Sequence, residues 1–429
     1  MPTSGRERSF LFLQGPHGPF FAELGALMRD AGARLARVGF NAGDAAFWLD
    51  RESYIAFRGP PEDWPETLER LIAERAVTDI VLYGDVRPVH EAARAAATRH
   101  GLRLHCFEEG YLRPWWVTYE RGGTNGHSRL METDIAEMRA ELASRDPEIG
   151  EAPARWGDLR QHVWYGARYH FHVMSRNRAY PHFRSHRELG VGQEFALYLR
   201  RLLAIPRHGL ERWLATRRIK RGGFPYHLVL LQLPHDSSVQ AHSPFRRMAD
   251  FLDVVLDGFA EGAPPHHHLV FKGHPLDDGR EALRRAALER VAAHGLAGRV
   301  HFVRGGKLAD LLAEARSAVT INSTAAQQAL WRGLPVKCFG AAVYAKPEFV
   351  SSQPIAEFFA QPMRPDTRAY RDFRRYLQET SQVQGSFYSA LGRRRLLRRV
   401  ADMVLAEHDP YEALHQANAA PGRPLRVVK

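Results

Sequence analysis

"LVLLQLPHDSSVQAHSPF", residues 228–245, decides how this 429-residue chain is read. Leu228 to Leu231 form an unbroken apolar run, as a strand buried on both faces requires. The run ends in Pro234, His235, Asp236, Ser237 and Ser238. A carboxylate, an imidazole and two hydroxyls therefore crowd one strand tip. In open α/β sheets, ligands sit beyond the carboxyl ends of the strands. The stretch predicts a parallel sheet with chemistry at that tip.

The pattern extends in both directions. Downstream, "PFRRMADFLDVVLDGFA" has the spacing of an amphipathic helix. The apolar runs "HHLVFKGHP", "RVHFVRG", "SAVTINST" and "LPVKCFG" alternate with further helical stretches. Upstream, "SFLFLQ" (9–14), "RLARVGF", "TDIVLYG" (78–84) and "LRLHCFEEG" do the same. Strands alternating with helices imply βαβ units and parallel sheets. Between about 125 and 215 the alternation stops. "HVWYGARYHFHVMSRNRAYPHFRSHRE" is aromatic, basic and without a two-residue period, and reads as helical insertion. Gly222, Gly223 and Pro225 punctuate "TRRIKRGGFP" and place a boundary there. Three regions result: a Rossmann-like first domain with its insertion (1–215), a second Rossmann-like domain (222–365), and C-terminal helices and tail (366–429) that pack back on the first.

Composition narrows the function classes. With 45% apolar and 25% charged residues the chain falls among ordinary globular proteins. A formal net charge of +12 favours anionic partners. It is densest in "LATRRIKRGG" (214–223) and "GRRRLLRRV" (392–400). No nucleic-acid-binding signature interleaves the arginines, which disfavours nucleic acid. No run approaches the ~18 apolar residues of a membrane span. The apolar stretch Phe10 to Leu13 is too short for a signal peptide, so a cytoplasmic location is expected. Cys106 and Cys338 lie in apolar runs and read as buried free thiols. No Cys/His spacing suggests zinc, and "HHH" (266–268) reads as a loop.

Four strand tips carry candidate chemistry. The first is "FEEGYLRP" (107–114), with Glu108 and Glu109, which also suits a solvated turn. The second holds Asp236. The third is "FKGHP" (271–275), with Lys272, His274 and Pro275. The fourth is "INSTAAQQAL" (321–330), where Asn322, Ser323 and Thr324 end a strand and small residues open a helix. A helix start accepts phosphate; a plain Ser or Thr cap explains the same residues. "QGPHGPF", with Gly15, His17 and Gly18, reads as a tight turn on the acceptor side, joined there by Arg113. Asp85 and Arg87 suit either a cleft wall or a structural role. Carboxylates on one half and phosphate donors on the other fit transfer from a nucleotide sugar. Retaining glycosyl transfer needs a nucleophile and an acid/base, which in retaining hydrolases stand about 5–5.5 Å apart. Asp236 and Glu108 or Glu109 are the candidate pair.

The ordered set "EEGYLRPWW", "QLPHDSS", "FKGHP" and "NSTAAQQAL" resembles the capsular polysaccharide β-Kdo transferases of Gram-negative bacteria. "YPHFRSHRE" narrows the likeness to the enzyme that primes the lipid-linked Kdo linker. The resemblance implies a GT-B-like architecture: two Rossmann-type domains with parallel sheets facing across a cleft. It implies CMP-Kdo as donor, no metal or other cofactor, and an anionic phosphatidylglycerol-type acceptor at the cytoplasmic face of the inner membrane. Other capsule synthesis or export proteins are implied partners. His274 and Pro275 would serve the CMP moiety, and Ser323 and Thr324 the donor phosphate. Asp236 would be the nucleophile, Glu108 in preference to Glu109 the base, and His235 would orient Asp236 or hold the Kdo carboxylate. Another nucleotide-sugar transferase or epimerase of this build, or a non-catalytic capsule-assembly component, is the alternative. Two segments are membrane candidates: the aromatic insertion near 163–187, and the basic helix around Leu396, Leu397 and Val400, which equally suits packing on the first domain.

Overall fold

A computed structural model describes residues 7–143, 157–183, 191–233, 237–275, 277 and 282–419. At 191–203, 205, 237–238 and 417–419 only the backbone is described. His235, Asp236 and the last ten residues lie outside the described residues. The described strands run in chain order as β1 (Ser9–Phe12), β2 (Arg34–Gly39), β3 (Tyr54–Ala56), β4 (Asp79–Tyr83), β5 (Arg103–Glu109), β6 (Trp116–Arg121), β7 (Tyr226–Leu230), β8 (His268–Gly273), β9 (Val300–Arg304), β10 (Ala315–Thr320), β11 (Val336–Cys338) and β12 (Gln382–Gln384).

The chain divides into two compact units. The first joins Met1–His186 to Arg374–Lys429, and the second is Arg187–Phe373. The division differs from the one expected at 215–222 because Val191–Gly222 is one continuous helix that packs on β9 of the second unit. The turn residues Gly222 and Gly223 end that helix rather than separating domains.

In the first unit the sheet order is β12-β6-β5-β4-β1-β2-β3. The five strands from β5 to β3 are parallel, while β6 and β12 add antiparallel at one edge. The order in which strands are added reverses between β1 and β4, which makes that pair the topological switch point. Phe10 and Phe12 of β1 face one apolar cluster and Leu11 the other, so the sheet is covered on both sides.

The helix Ala390–Leu405 completes the first cluster with Leu396, Leu397 and Val400. Ser389 caps it, accepting a hydrogen bond from the Gly392 amide at 3.0 Å. Its apolar stripe is therefore core, and this corrects the lipid-facing reading of those residues. The helix Leu159–Arg176, within the insertion, behaves differently. Val163, Trp164, Phe171 and Met174 stand exposed along one side of it.

The second unit is wholly parallel, in the order β11-β10-β7-β8-β9. Its switch point lies between β7 and β10. Phe251, Leu252, Val255 and Phe259 of the helix Met248–Gly262 pack against Val229, Phe271 and Val319 of the central strands. No described helix is long and apolar enough to cross a membrane.

Candidate functional sites

Each unit gathers polar side chains at the carboxyl edge of its sheet. In the first unit, backbone hydrogen bonds carry the ladder past the strand ends. The Leu13 amide donates to Val81 O at 2.8 Å, Tyr83 to Gln14 O at 3.2 Å and Gly84 to Phe107 O at 2.8 Å. Gln14, Gly84 and Glu108 are thereby set side by side. At the switch point Arg87 Nη1 donates to Gln14 Oε1 at 3.1 Å. Gly84 has φ +69, and a Cβ there would stand 3.1 Å from Glu108 Oε2. Glu108 Oε1 also accepts from the Glu109 amide at 3.0 Å.

Glu109 is half-buried between two donors, Tyr83 Oη at 3.5 Å and Arg113 Nη1 at 3.5 Å. Burial, the neighbouring Tyr388 and the Glu109 and Glu108 charges push the Tyr83 hydroxyl well above its ordinary pKa. It stays protonated and acts as a donor. The acidic pair is thus built into the sheet edge by specific partners and is not a loose turn. Arg113 is on this edge, exposed.

Other expected residues sort differently. Asp85 is fully buried and accepts from the Thr124 amide at 2.9 Å and from His127 Nδ1 at 3.0 Å, a structural role. Gly15 is buried, and a Cβ there would meet the Phe21 ring at 2.6 Å. Gly18 has φ +124 and sits against the Tyr165 ring. These two glycines serve close packing of the turn. His17 is half-buried and stacks on Tyr169 at 4.2 Å between ring centroids. Glu120 does not stand out in the sequence. It is buried beneath three hydroxyls, Tyr111 at 2.7 Å, Ser128 at 2.5 Å and Tyr411 at 3.0 Å. Burial raises its pKa to about 7 against those hydrogen bonds. Its partners close around it, and nothing in the sequence around "YERGG" marks it.

In the second unit, Gln232 and Asn322 clasp at the switch point. Gln232 Nε2 donates to Asn322 Oδ1 at 2.9 Å, and the Asn322 amide donates back to Gln232 Oε1 at 3.0 Å. Tyr344 Oη donates to Ser323 O at 2.8 Å and fixes the start of the next turn. Ser323 Oγ accepts from the Ala325 amide at 3.3 Å, so it caps as well as faces the edge. The chain continues as a 3₁₀ turn (Thr324–Ala326) and then one helical turn (Gln327–Leu330). So short an element has little dipole to offer a phosphate, and this weakens the helix-start reading of the fourth tip. Thr324 is half-buried.

Lys272 is the distinctive group. It is the penultimate residue of β8, level with Leu230 of β7, and is only 6% exposed. Its ammonium makes no hydrogen bond or ion pair among the described residues. Burial, and then the Arg212 guanidinium, lower its pKa to about 8. Arg212 comes from the long helix and overlies Gly306, on the turn after β9. His274 is half-buried and Pro275 exposed, next to Gly305 of that same turn. A buried cation beside a second cation, at a strand tip, suits an anionic ligand.

The histidines of "HHH" lie at the opposite, amino edge. His267 Nδ1 meets His227 Nε2 at 3.1 Å, and His268 Nδ1 meets His301 Nε2 at 2.9 Å. Both thiols are free, Cys106 buried and Cys338 half-buried.

A family model described as capsule polysaccharide biosynthesis protein matches residues 78–388. The chain is 29% identical over 384 residues to the capsule polysaccharide export protein KpsS of Escherichia coli, covering 89% of this chain and 97% of that one. It is 30% identical over 386 residues to the capsule polysaccharide modification protein LipB of Neisseria meningitidis serogroup B, covering 89% and 92%. Among solved structures, it is similar to Thermosulfurimonas dismutans KpsC, a beta Kdo 2,7 transferase, at 12% identity and a TM-score of 0.43 over 95% of this chain and 98% of that one. It is also similar to Anabaena Alr3699/HepE in complex with UDP and glucose, at 12% identity and a TM-score of 0.33 over 96% and 98%.

Proposed function

The chain belongs to the capsule polysaccharide biosynthesis protein family, and from that premise we propose that it is a retaining glycosyltransferase moving β-Kdo from CMP-Kdo to a (lyso)phosphatidylglycerol-type lipid. Such a transfer starts the Kdo linker of a capsular polysaccharide. The observation that carries the reading is Lys272, a buried cation at a parallel-sheet tip with no partner among the described residues. CMP-Kdo is anionic twice over, at its phosphodiester and at the sugar carboxylate. Lys272 and Arg212 supply the positive charge that a departing CMP needs, and His274, two residues along the chain, can add a hydrogen bond. The reading therefore calls for no metal and no other cofactor.

Asp236 keeps the role of nucleophile, attacking the anomeric carbon as the bond to the CMP phosphate breaks. Glu108 takes the proton of the acceptor hydroxyl as that oxygen displaces Asp236. Glu109, engaged with Tyr83 and Arg113, supports rather than replaces it. The exposed Val163, Trp164, Phe171 and Met174, on a helix that also bears arginines, support peripheral binding at the cytoplasmic membrane surface.

The test is incubation of the purified protein with CMP-Kdo and a short-chain phosphatidylglycerol, followed by mass spectrometry. A gain of one Kdo, absent in Asp236→Ala, is expected. Intact donor with no product, and normal capsule in cells carrying Asp236→Ala, would point instead to a non-catalytic assembly role. Transfer from a uridine sugar would replace the donor.

A further inference from the structure

The first unit holds a second polar concavity, distinct from the acidic strand tips. It measures about 600 Å3 and lies between the short helix Ala42–Ala46, the edge strand β3 and the helix Leu159–Arg176. Arg51, Arg58, Arg168, Arg176 and His172 line it, and no carboxylate does among the described residues. Arg168, His172 and Arg176 follow at four-residue steps and so share one face of their helix.

The arginines are not spoken for by acids. Arg51 donates to Ala45 O at 3.1 Å, and Arg168 lies over the Phe47 ring at 5.1 Å. None of the four makes an ion pair among the described residues. Asp44, on the adjoining short helix, is committed elsewhere: it pairs with Arg37 at 3.7 Å and accepts from the Phe40 amide at 3.0 Å. Burial, then Arg176 and Arg168, lower the His172 pKa, so both guanidinium charges are felt at one imidazole.

The walls are also fixed in place. The Ala42 amide donates to Asn177 Oδ1 at 3.0 Å, and Asn41 Nδ2 donates to Tyr169 Oη at 2.8 Å. Tyr54 and Tyr180, both on the lining, join hydroxyl to hydroxyl at 2.6 Å. Gly43 lets the Tyr169 ring approach to where a Cβ would be 2.5 Å away. The four arginines are exposed and ring one hollow, so an anion entering it meets several guanidinium groups at once. Guanidinium forks match phosphate oxygens two at a time.

We infer that this cavity is a phosphate-binding site, taking the phosphate of an ester the size of a lipid headgroup. The shared chemistry is a phosphomonoester or phosphodiester, free or on a lipid. For a lipid ligand the inference rests on the proposed acceptor, but its test reads binding and needs no donor, so it can fail while sugar transfer stands.

Titration calorimetry at low ionic strength with sn-glycerol 1-phosphate forms one arm. Flotation with phosphatidylglycerol against phosphatidylcholine vesicles forms the other. Arg168→Gln with Arg176→Gln is expected to weaken binding at least tenfold, and Arg58→Gln, on a different element, severalfold. Arg394→Gln with Arg398→Gln, which removes equal charge from the exposed side of the C-terminal helix, should leave binding unchanged. Binding of the soluble ester that the cavity variants lose identifies a free phosphate ester. Binding of phosphatidylglycerol vesicles alone, lost in the same way, identifies the lipid headgroup. Absence of binding in both arms, or equal weakening by the charge-matched control, overturns the site. Should the double variant fail to melt cooperatively, Arg58→Gln against the control decides.

Discussion

The two carboxyl edges differ in how far they are satisfied without a ligand. At the first, Gln14 holds Arg87, and Glu109 sits between Tyr83 and Arg113. Every charge named there has an opposite charge or a donor or acceptor beside it. At the second, Gln232 and Asn322 satisfy each other, yet Lys272 is buried and, among the described residues, the Arg212 guanidinium is the charge that acts on it. Desolvation of that ammonium is not offset within the described protein. Within the described residues the first edge is satisfied as folded, and the second holds a buried cation whose burial costs stability and suits an anionic ligand.

That contrast is broken most directly at Lys272. Lys272→Met removes the buried charge and keeps most of the volume. Charge-assisted hydrogen bonds contribute about 1.5–3 kcal/mol, so affinity for CMP is expected to drop on the order of tenfold to a hundredfold by calorimetry. The thermal midpoint of the ligand-free protein should rise. A lysine whose folded pKa lies near 8, below its ordinary value of 10.5, binds its proton less well when folded. Between those values the unfolded chain holds more protons, so stability rises with pH across that window. CMP affinity runs the other way and falls as pH climbs through about 8. A lower midpoint in the variant would mean that Lys272 is a structural residue, and the contrast between the edges would be lost.

The first edge is sharpened by two glycines. Gly84 (φ +69) and Gly101 (φ +63) share the left-handed backbone region. A Cβ on Gly101 meets nothing within 4 Å, whereas one on Gly84 crowds Glu108 Oε2. Gly101→Ala should destabilise by about 1 kcal/mol through backbone strain alone. Gly84→Ala should reach roughly 2 kcal/mol and shift the Glu108 carboxylate. Urea denaturation of both variants measures the difference. Equal losses would show that Glu108 is free to move and that the first edge is less preorganised than its hydrogen bonds indicate.

The strands legible in the sequence are those buried on both faces, since a parallel strand such as β4 or β8 is a bare apolar run bounded by polar tips. The strands that escape it are antiparallel or peripheral. β6, "WVTYER", mixes aromatic and charged residues, and its core is shared with a C-terminal helix far along the chain. β12 is three residues long and exists because β6 offers it an edge. Lys272, Asn322 and the two glutamates can be named because each directly ends an apolar run. The isolation of Lys272, the approach of Arg212 and the Gln232 clasp cannot, because each depends on packing between segments distant in sequence. The arginine cavity is hidden for the same reason: Arg51 and Arg58 reach it from the first α/β repeat, and Arg168 and Arg176 from the insertion. In the C-terminal helix, arginines and leucines at mixed spacing suit either membrane or core, and only the contact with Phe10 and Phe12 decides it.

The smallest expected effect concerns the opposite, amino edges, where both units bury histidines. In the first, His105 Nε2 lies 2.9 Å from Asp79 Oδ1 and Nδ1 lies 2.8 Å from Tyr119 Oη. Burial lowers its pKa to about 4 despite the Asp79 partner. In the second, burial and then His267 take His227 to about 3, and burial and then His268 take His301 to about 4. Each of these groups is neutral when folded and takes up a proton more readily when unfolded. Their contribution is complete above the ordinary value of 6.5 and declines as pH falls from there towards the folded values. Asp79, whose pKa burial raises but the His105 and Arg8 hydrogen bonds bring down, loses stability only below its ordinary value of 3.8 and is silent near neutrality. Between about pH 7 and pH 6 the amino edge of the second unit therefore responds through His227 and His301 together with His267 and His268, which burial also lowers, and that of the first through His105. The difference between them is roughly 1 kcal/mol once the partial exposure of His268 and His301 is discounted. Amide exchange, corrected for intrinsic rates, should show β7 and β8 losing more protection than β4 and β5 over that step. The reverse order would mean that the His227–His267 and His268–His301 pairs each hold a proton in the folded state, with the two edges exchanging their places in the comparison.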